Sequence, residues 1–236
     1  SVSDDTELSV IAAGKASASM ASAFVRMTRN PVRGLIASPG QGRGDGGMEW
    51  FNVGHPIPTE GSVDAGLRAL QLANDVADGR LLVTLLSGGA SAGLASPVTG
   101  ITLDDKVRVT QVLLESGISI DGLNCVRKHL SSIKGGRLVR AAGGRCITLA
   151  ISDVVDPVPD DPSVIGSGPT VVDPTTYADA LGYLLACGSK SLFPEAAVSI
   201  LERGANGEFE ETLKSNSWMS NRPEYFAIGS RLNAME

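Results

Sequence analysis

Three nearly unbroken apolar runs limit what this chain can fold into. "LSVIAA" (8–13), "LLVTLL" (81–86) and "RCITLAI" (145–151) each stop at a Gly, Ser or Ser-Asp. A strand with one face in water alternates apolar and polar residues, whereas a strand covered on both faces has no such need. Strands of that kind belong to parallel sheets, and parallel neighbours require a crossover between them, usually a helix.

The intervening segments have helical character. "KASASMASAFVRM", directly after Gly14, is Ala-rich and reads as a helix. Val63, Leu67, Leu70 and Val76 recur near helical spacing between Glu60 and Asp78, and Leu103, Val107, Thr110 and Leu114 line one side of a second helix. Two more helices are expected over 175–187 and 194–203. "RGLIAS" (33–38), "MEWFNV" (48–53) and "YFAIGS" (225–230) supply further strands. "PGQGRGDGG" (39–47) and the polar stretch from Gly204 to Pro223 read as surface connections, and "SRLNAME" as the start of another helix. The expected fold is α/β: a doubly wound, mostly parallel, Rossmann-like sheet with helices on both faces, forming a single domain over 1–236.

Composition removes several functions. With 26 acidic against 20 basic residues and 4% aromatics, the chain lacks the basic footprint and stacking surface of a nucleic-acid binder. No apolar run approaches the length that crosses a bilayer, and "SVSDDTELSV" lacks the layout of a signal peptide. Cys125, Cys146 and Cys187 are far apart with no C-x-x-C, so reduced core thiols and a cytoplasmic location are expected. Whether the chain forms a homodimer is left open.

In a parallel sheet the loops after the strands share one edge, where ligands bind. Three strand ends carry chemistry here. Gly14-Lys15 places a cation at a helix start, although it is no P-loop. "SGGASAG" (87–93) offers backbone amides to a phosphate or carboxylate. It also fits G-x-S-x-G at Gly89-Ala90-Ser91-Ala92-Gly93, the nucleophile elbow of a serine hydrolase. His129 lies close to Ser91 in sequence and His55 lies upstream, so a triad in that order is poorly supplied. Ser152-Asp153 ends the third run, and a strand-end carboxylate suits Mg²⁺ in phosphoryl transfer. Asp160 and Asp161 read as turn formers, and Asp173 in "GSGPTVVDPTT" is a metal candidate of lower rank.

"KHLSSIKGGR" (128–137) gathers Lys128, His129, Lys134 and Arg137 around Gly135-Gly136 in an otherwise acidic chain. Either these cations coat a solvated helix face or they help hold an anion at the rim, and we expect the anion site. Cations and amides around a transferring group are how phosphoryl-transfer enzymes mostly work. A non-catalytic module for small anions uses the same parts.

Those segments resemble the glycerate 2-kinase family, whose chains join a large N-terminal domain to a smaller MOFRL domain. The resemblance rests on Gly14-Lys15-Ala16, "GHPIP" (54–58), "SGGASA" (87–92), "NCVRKHLSSIKGGRL" (124–138), "SDV" (152–154) and "SGPTVVDPTT" (167–176), in order along nearly the whole chain. It implies ATP-dependent phosphorylation of D-glycerate at its 2-hydroxyl, with ATP and Mg²⁺ as cofactors and a large-domain role for residues 1–236. Members also carry the label hydroxypyruvate reductase, but no complete dinucleotide fingerprint is present here. By the resemblance, Lys15 and Lys134 are catalytic. Gly14, Ser87, Gly88, Gly89 and Ser91 would cradle phosphate or the glycerate carboxylate, with Arg127, Lys128, Gly135, Gly136 and Arg137 adding contacts. Asp153, then Asp173, would face the metal.

There are departures from the family pattern. Ala90 stands where Gly is common, and the Pro-rich "VVDPVPDDPS" leaves the roles of Asp156 and Asp160 open. The MOFRL domain and an N-terminal helical stretch have no counterpart in the chain. Since the family's cleft lies between two domains, the chain alone is expected to show little or no kinase activity.

Overall fold

Strands Leu8–Ala13 (β1), Val32–Ser38 (β2), Met48–Asn52 (β3), Leu81–Leu86 (β4), Cys146–Ser152 (β5) and Glu224–Ser230 (β6) form one sheet in the order β3-β2-β1-β4-β5-β6. Every neighbouring pair is parallel. This computed structural model describes residues 6–76, 80–143, 145–155, 158–217 and 222–230. The segment 231–236, expected to begin a helix, lies outside the described residues, as does Asp156.

The chain leaves β1 for β2 and β3 on one side, then returns past β1 to β4. Order therefore reverses between β1 and β4, where the loops that follow them diverge and open a crevice. Helix Ser17–Met27 (α1) covers one face and helix Glu60–Asn74 (α2) the other. Ile11, Leu35, Leu82 and Leu86 bury against Ala65, Ala69, Leu72 and Ala73 of α2, while Val10, Ala12, Ile36, Val83 and Leu85 bury with Met20 and Ala21 of α1. Beside α1, Leu149, Ile151 and Ile228 line an open apolar groove on the same face.

A second apolar cluster stands off the sheet. Helices Leu103–Glu115 (α4), Ile120–His129 (α5), Tyr177–Ala186 (α7) and Glu195–Ala205 (α8) pack Val109, Leu113, Leu123, Val126, Leu184 and Leu201 together. Short helices Ala90–Gly93 (α3) and Arg137–Ala141 (α6) connect this cluster to the sheet.

Three sequence expectations need correction, and one helix was not anticipated. Helix α2 ends at Asn74, short of Asp78, and its buried residues are Ser62, Ala65, Gly66, Ala69, Leu72 and Ala73, leaving Leu67 exposed. Small side chains let the helix lie close to the sheet; Leu70 and Val76 still pack against the main core, while Val63 and Leu67 border a surface groove. In α4 the buried residues are Lys106, Val109, Val112 and Leu113, and Leu114 points to solvent. Helix α5, unassigned from the sequence, is capped by the Ser119 hydroxyl on the Gly122 amide. The polar stretch after Gly204 is not purely a surface connection. Leu213 enters the main core and Thr212 is fully buried, because the Leu213 backbone pairs with Gly135 and Asp173.

Candidate functional site

The loops after β1 and β4 interlock at the switch point. Ser87 Oγ accepts from the Ala16 amide at 3.0 Å, and the Lys15 amide donates to the Gly88 carbonyl at 2.9 Å. Gly14 makes this approach feasible: at φ +112° its added Cβ would lie 2.5 Å from the Ser87 carbonyl oxygen. The Ser87 hydroxyl therefore ties the two loops together, at the edge of the cleft. Gly88 serves the site more directly, because a Cβ there would meet the Asp153 carboxylate at 2.2 Å. The end of β5 thus lies flush against the backbone of the loop after β4.

Around this junction lies a cavity of about 310 Å³, a size suited to a small molecule. His55, Ser87, Gly88, Gly89, Ser91, Asn124, Arg127, Asp153 and Ser167 contribute polar atoms to its wall. The Gly88 and Gly89 amides make no hydrogen bond to a described residue and stand available to an anion. Lys15 is exposed just ahead of α1, and its ammonium makes no hydrogen bond or ion pair to a described residue.

His55, which sequence reasoning set aside, enters the cleft on the "GHPIP" turn. Its pKa is held below the ordinary histidine value, first by partial burial and then by the Lys15 charge, against the opposing pull of Asp153. A neutral imidazole between a lysine and a carboxylate can take up a proton. Asn124 was also missed, although Ile120, Asn124 and Arg127 at i, i+4 and i+7 share one face of α5. That spacing inside "NCVRKH" was the available signal.

Arg127 alone among the basic residues of the 127–137 region lines the cleft. Its guanidinium donates to Ser91 Oγ, and burial holds its pKa below the ordinary arginine value. Lys134 lies beneath, 1% exposed, with all three donors occupied: Ser91 O at 2.6 Å, Ser91 Oγ at 3.0 Å and Leu94 O at 3.4 Å. Ser91 therefore faces Lys134, Arg127 and the Ser167 hydroxyl, at 2.9 Å, with no histidine or carboxylate in contact among the described residues. The nucleophile elbow of a Ser-His-Asp hydrolase needs a histidine within hydrogen-bond reach of the serine, and the described residues place none there.

The remaining basic residues of "KHLSSIKGGR" point elsewhere. Lys128 pairs with Asp173 at 3.2 Å, and His129 with Glu211 at 3.2 Å. Arg137 donates to the Lys128 and Ser131 carbonyls at the end of α5 and to Tyr177 Oη. Gly135 and Gly136, both at positive φ, fit tightly against Thr212 and Leu213. His129, Arg137, Gly135 and Gly136 hold the 210–213 segment against α5 and α6 and Lys128 ties α5 to Asp173, so neither a solvated face nor a cleft-facing anion site describes them. Asp173, fully buried on this side, is not brought to Asp153. One of its oxygens accepts from Lys128 and Thr175, and the other has no hydrogen-bond partner among the described residues.

Among the described residues no group of three or more His, Cys, Asp or Glu is arranged to hold a metal ion. Magnesium commonly takes only one or two protein carboxylates and fills its remaining positions with substrate phosphates and water. Asp153, flush with the Gly88 backbone, fits that mode. No described helix is long and apolar enough to cross a membrane.

A family profile described as "Domain of unknown function (DUF4147)" matches residues 1–202. The chain is similar to a glycerate 2-kinase of Pyrococcus horikoshii, with 40% identity over 207 residues, 88% of this chain and 46% of that protein. A relative from Agrobacterium vitis carrying a hydroxypyruvate reductase label is 43% identical over 198 residues, 83% of this chain and 44% of that protein. Among solved structures, a glycerate kinase of Thermotoga maritima superimposes with a TM-score of 0.80 at 32% identity, covering 95% of this chain and 51% of that one. The chain thus spans about half the length of the curated relatives it matches.

Proposed function

Because the chain belongs to the glycerate 2-kinase family, we propose that it forms the large domain of an enzyme transferring the γ-phosphoryl group of ATP to the 2-hydroxyl of D-glycerate. One observation carries this reading: the Gly88 and Gly89 amides, unpaired among the described residues, line one cavity with Arg127 and Asp153 at the β1/β4 switch point, and the Lys15 charge is felt at His55 in the same wall. The loops after β4 and β5 and helix α5 thereby supply amide donors, one carboxylate and one cation to the same small cavity, with Lys15 beside it at the end of the β1 loop. That set matches the needs of a phosphoryl group whose charge is spread over its equatorial oxygens.

In this reading the glycerate 2-hydroxyl attacks the γ-phosphorus. The bond from that phosphorus to the bridging oxygen breaks, and ADP leaves with the electron pair. Lys15 and the Gly88 and Gly89 amides stabilise charge on the transferring group. The hydroxyl proton passes to a base in the cleft, for which neutral His55 and Asp153 are the two candidates. Magnesium, held by Asp153 and arriving with the nucleotide, would neutralise phosphate charge. Lys134 belongs to this machinery as the support of the Ser91 turn.

Kinases of this type form their cleft between two domains, so the 236-residue chain alone should turn over little or no glycerate. The test is a coupled ADP-release assay on a two-domain form with and without Lys15→Ala. Loss of glycerate-dependent ADP release in the variant supports the reading. An unchanged rate in the variant, or full activity from the 236-residue chain, argues against it. The reductase label finds no support in the loops after β1 and β4, neither of which carries G-x-G-x-x-G.

A further inference from the structure

Hydrogen-bond direction in the cleft wall can be read from the two cations that begin the chain of contacts. Ammonium and guanidinium groups donate and, when charged, never accept. With Lys134 charged, Ser91 Oγ receives one N–H from Lys134 and one from Arg127, which occupies both lone pairs of the hydroxyl. Its own proton must therefore go to its remaining neighbour, the Ser167 hydroxyl at 2.9 Å. Ser167 Oγ, now an acceptor, passes its own proton to Asn124 Oδ1 at 3.3 Å. The Asn124 carbonyl is thereby occupied, and the amide nitrogen is the end left over.

Asn124 is 5% exposed and lines the cavity, and its Nδ2 makes no hydrogen bond to a described residue. Ser167 adopts φ +60°, a left-handed conformation uncommon outside glycine, and in it the hydroxyl stands between Ser91 and Asn124. The relay thus runs from a buried ammonium, through two serines, to an amide whose donors face the cleft.

We propose that Asn124 sets the polarity of the substrate side of the cleft. Its amide nitrogen and the free N–H groups of Arg127 receive the carboxylate of the small hydroxy acid, and Lys134 fixes that orientation through Ser91 and Ser167. This rests on the kinase reading above and extends it to the recognition of the acceptor. Asn124 and Arg127 are binding residues, whereas Ser91, Ser167 and Lys134 are positioning residues.

The test separates this inference from its premise by measuring binding without turnover. D-glycerate and Mg·ATP are titrated separately into the full 236-residue chain by calorimetry. The same titrations follow for Asn124→Asp, Ser167→Ala and the double variant, with circular dichroism checking the fold. Asn124→Asp keeps an acceptor for Ser167 but turns a carboxylate oxygen towards the substrate. Glycerate affinity should fall by about tenfold or more, with Mg·ATP affinity within about twofold of wild type. Ser167→Ala frees the amide to rotate and should weaken glycerate by about three- to tenfold, again leaving the nucleotide unaffected. Added to Asn124→Asp, it should do nothing further, because its only route to the substrate has been removed.

Glycerate binding by wild type that Asn124→Asp leaves unchanged overturns this inference alone. A full additive effect of Ser167→Ala in the double variant overturns the relay. Wild-type protein that binds Mg·ATP and no hydroxy acid overturns the premise and the inference together. Should Asn124→Asp fail to fold, Ser167→Ala alone decides: equal losses for glycerate and nucleotide would sink the proposal.

Discussion

The Lys134 ammonium lies 2.6 Å from the Ser91 carbonyl oxygen and 3.0 Å from the Ser91 hydroxyl, beneath the loop that closes the cleft. Burial, with the charges of Lys106 and Arg127, holds its pKa well below the ordinary lysine value. The lysine nevertheless gives three donors to atoms that water cannot reach. Lys134→Met removes them all, and each buried acceptor left unpaired costs about 1–3 kcal/mol, offset in part by removing a buried cation. We expect a net destabilisation of about 1–3 kcal/mol in urea denaturation, together with loss of glycerate binding. A variant as stable as wild type would show that the loop does not depend on this side chain.

Lys15 presents the opposite case. Its side chain is exposed and makes no hydrogen bond or ion pair to a described residue, so Lys15→Ala should change stability by less than about 0.5 kcal/mol. In a two-domain form the same change should cut the phosphoryl-transfer rate by about 10²-fold or more. Melting curves and the ADP-release assay check the two halves of this prediction. A large loss of stability would move Lys15 from the chemistry to the fold.

These two lysines mark what could be read from the sequence. β1, β4 and β5 are legible because strands buried on both faces need no polar alternation, and the sequence shows that directly. The placement of Lys15 and Asp153 after β1 and β5, on one edge of the sheet, is legible because strand ends in a parallel sheet share that edge. The helix faces were misread because apolar spacing records size and hydropathy, whereas α2 approaches the sheet with Ala65, Ala69 and Ala73. Lys128 and His129 were misread for another reason. Their partners Asp173 and Glu211 lie 45 and 82 residues away, and no local pattern reveals a contact that distant. Asn124 escaped because its function depends on which end of an amide faces the cleft.

Glu211 gives a pH prediction. Burial alone would raise its carboxyl, but the hydrogen bond with His129, the Tyr177 amide and the Lys214 charge together lower it from 4.5 to about 2. A carboxyl depressed in the folded state contributes stability that is fully present above pH 4.5. That contribution is lost progressively as the pH falls towards 2. Glu211→Gln should therefore flatten the stability profile across this window while leaving a hydrogen-bond acceptor for His129. Chemical denaturation at several pH values tests it, and an unchanged acid slope would remove Glu211 from the account.

Lys106 should behave in the reverse sense, and the contrast with Lys134 turns on partners. Lys106 is equally enclosed but makes only one long contact, 3.4 Å to the Leu130 carbonyl. Burial, then the charges of Arg127 and Arg137, push its pKa down to about 7 from 10.5. Between these values the unfolded chain binds more protons than the folded one, so stability rises with pH across the interval. The cost of burying the cation is full below about pH 7 and disappears towards 10.5. Lys106→Met keeps the apolar stem and discards the charge, so it should stabilise the chain at pH 6–7 by about 1–3 kcal/mol. That gain should shrink as the pH is raised to about 10, since the wild-type amine is then neutral in the fold at little cost. Thermal melts of both proteins across this range decide the matter. A methionine variant that melts lower than wild type at every pH would mean the Leu130 contact outweighs the buried charge.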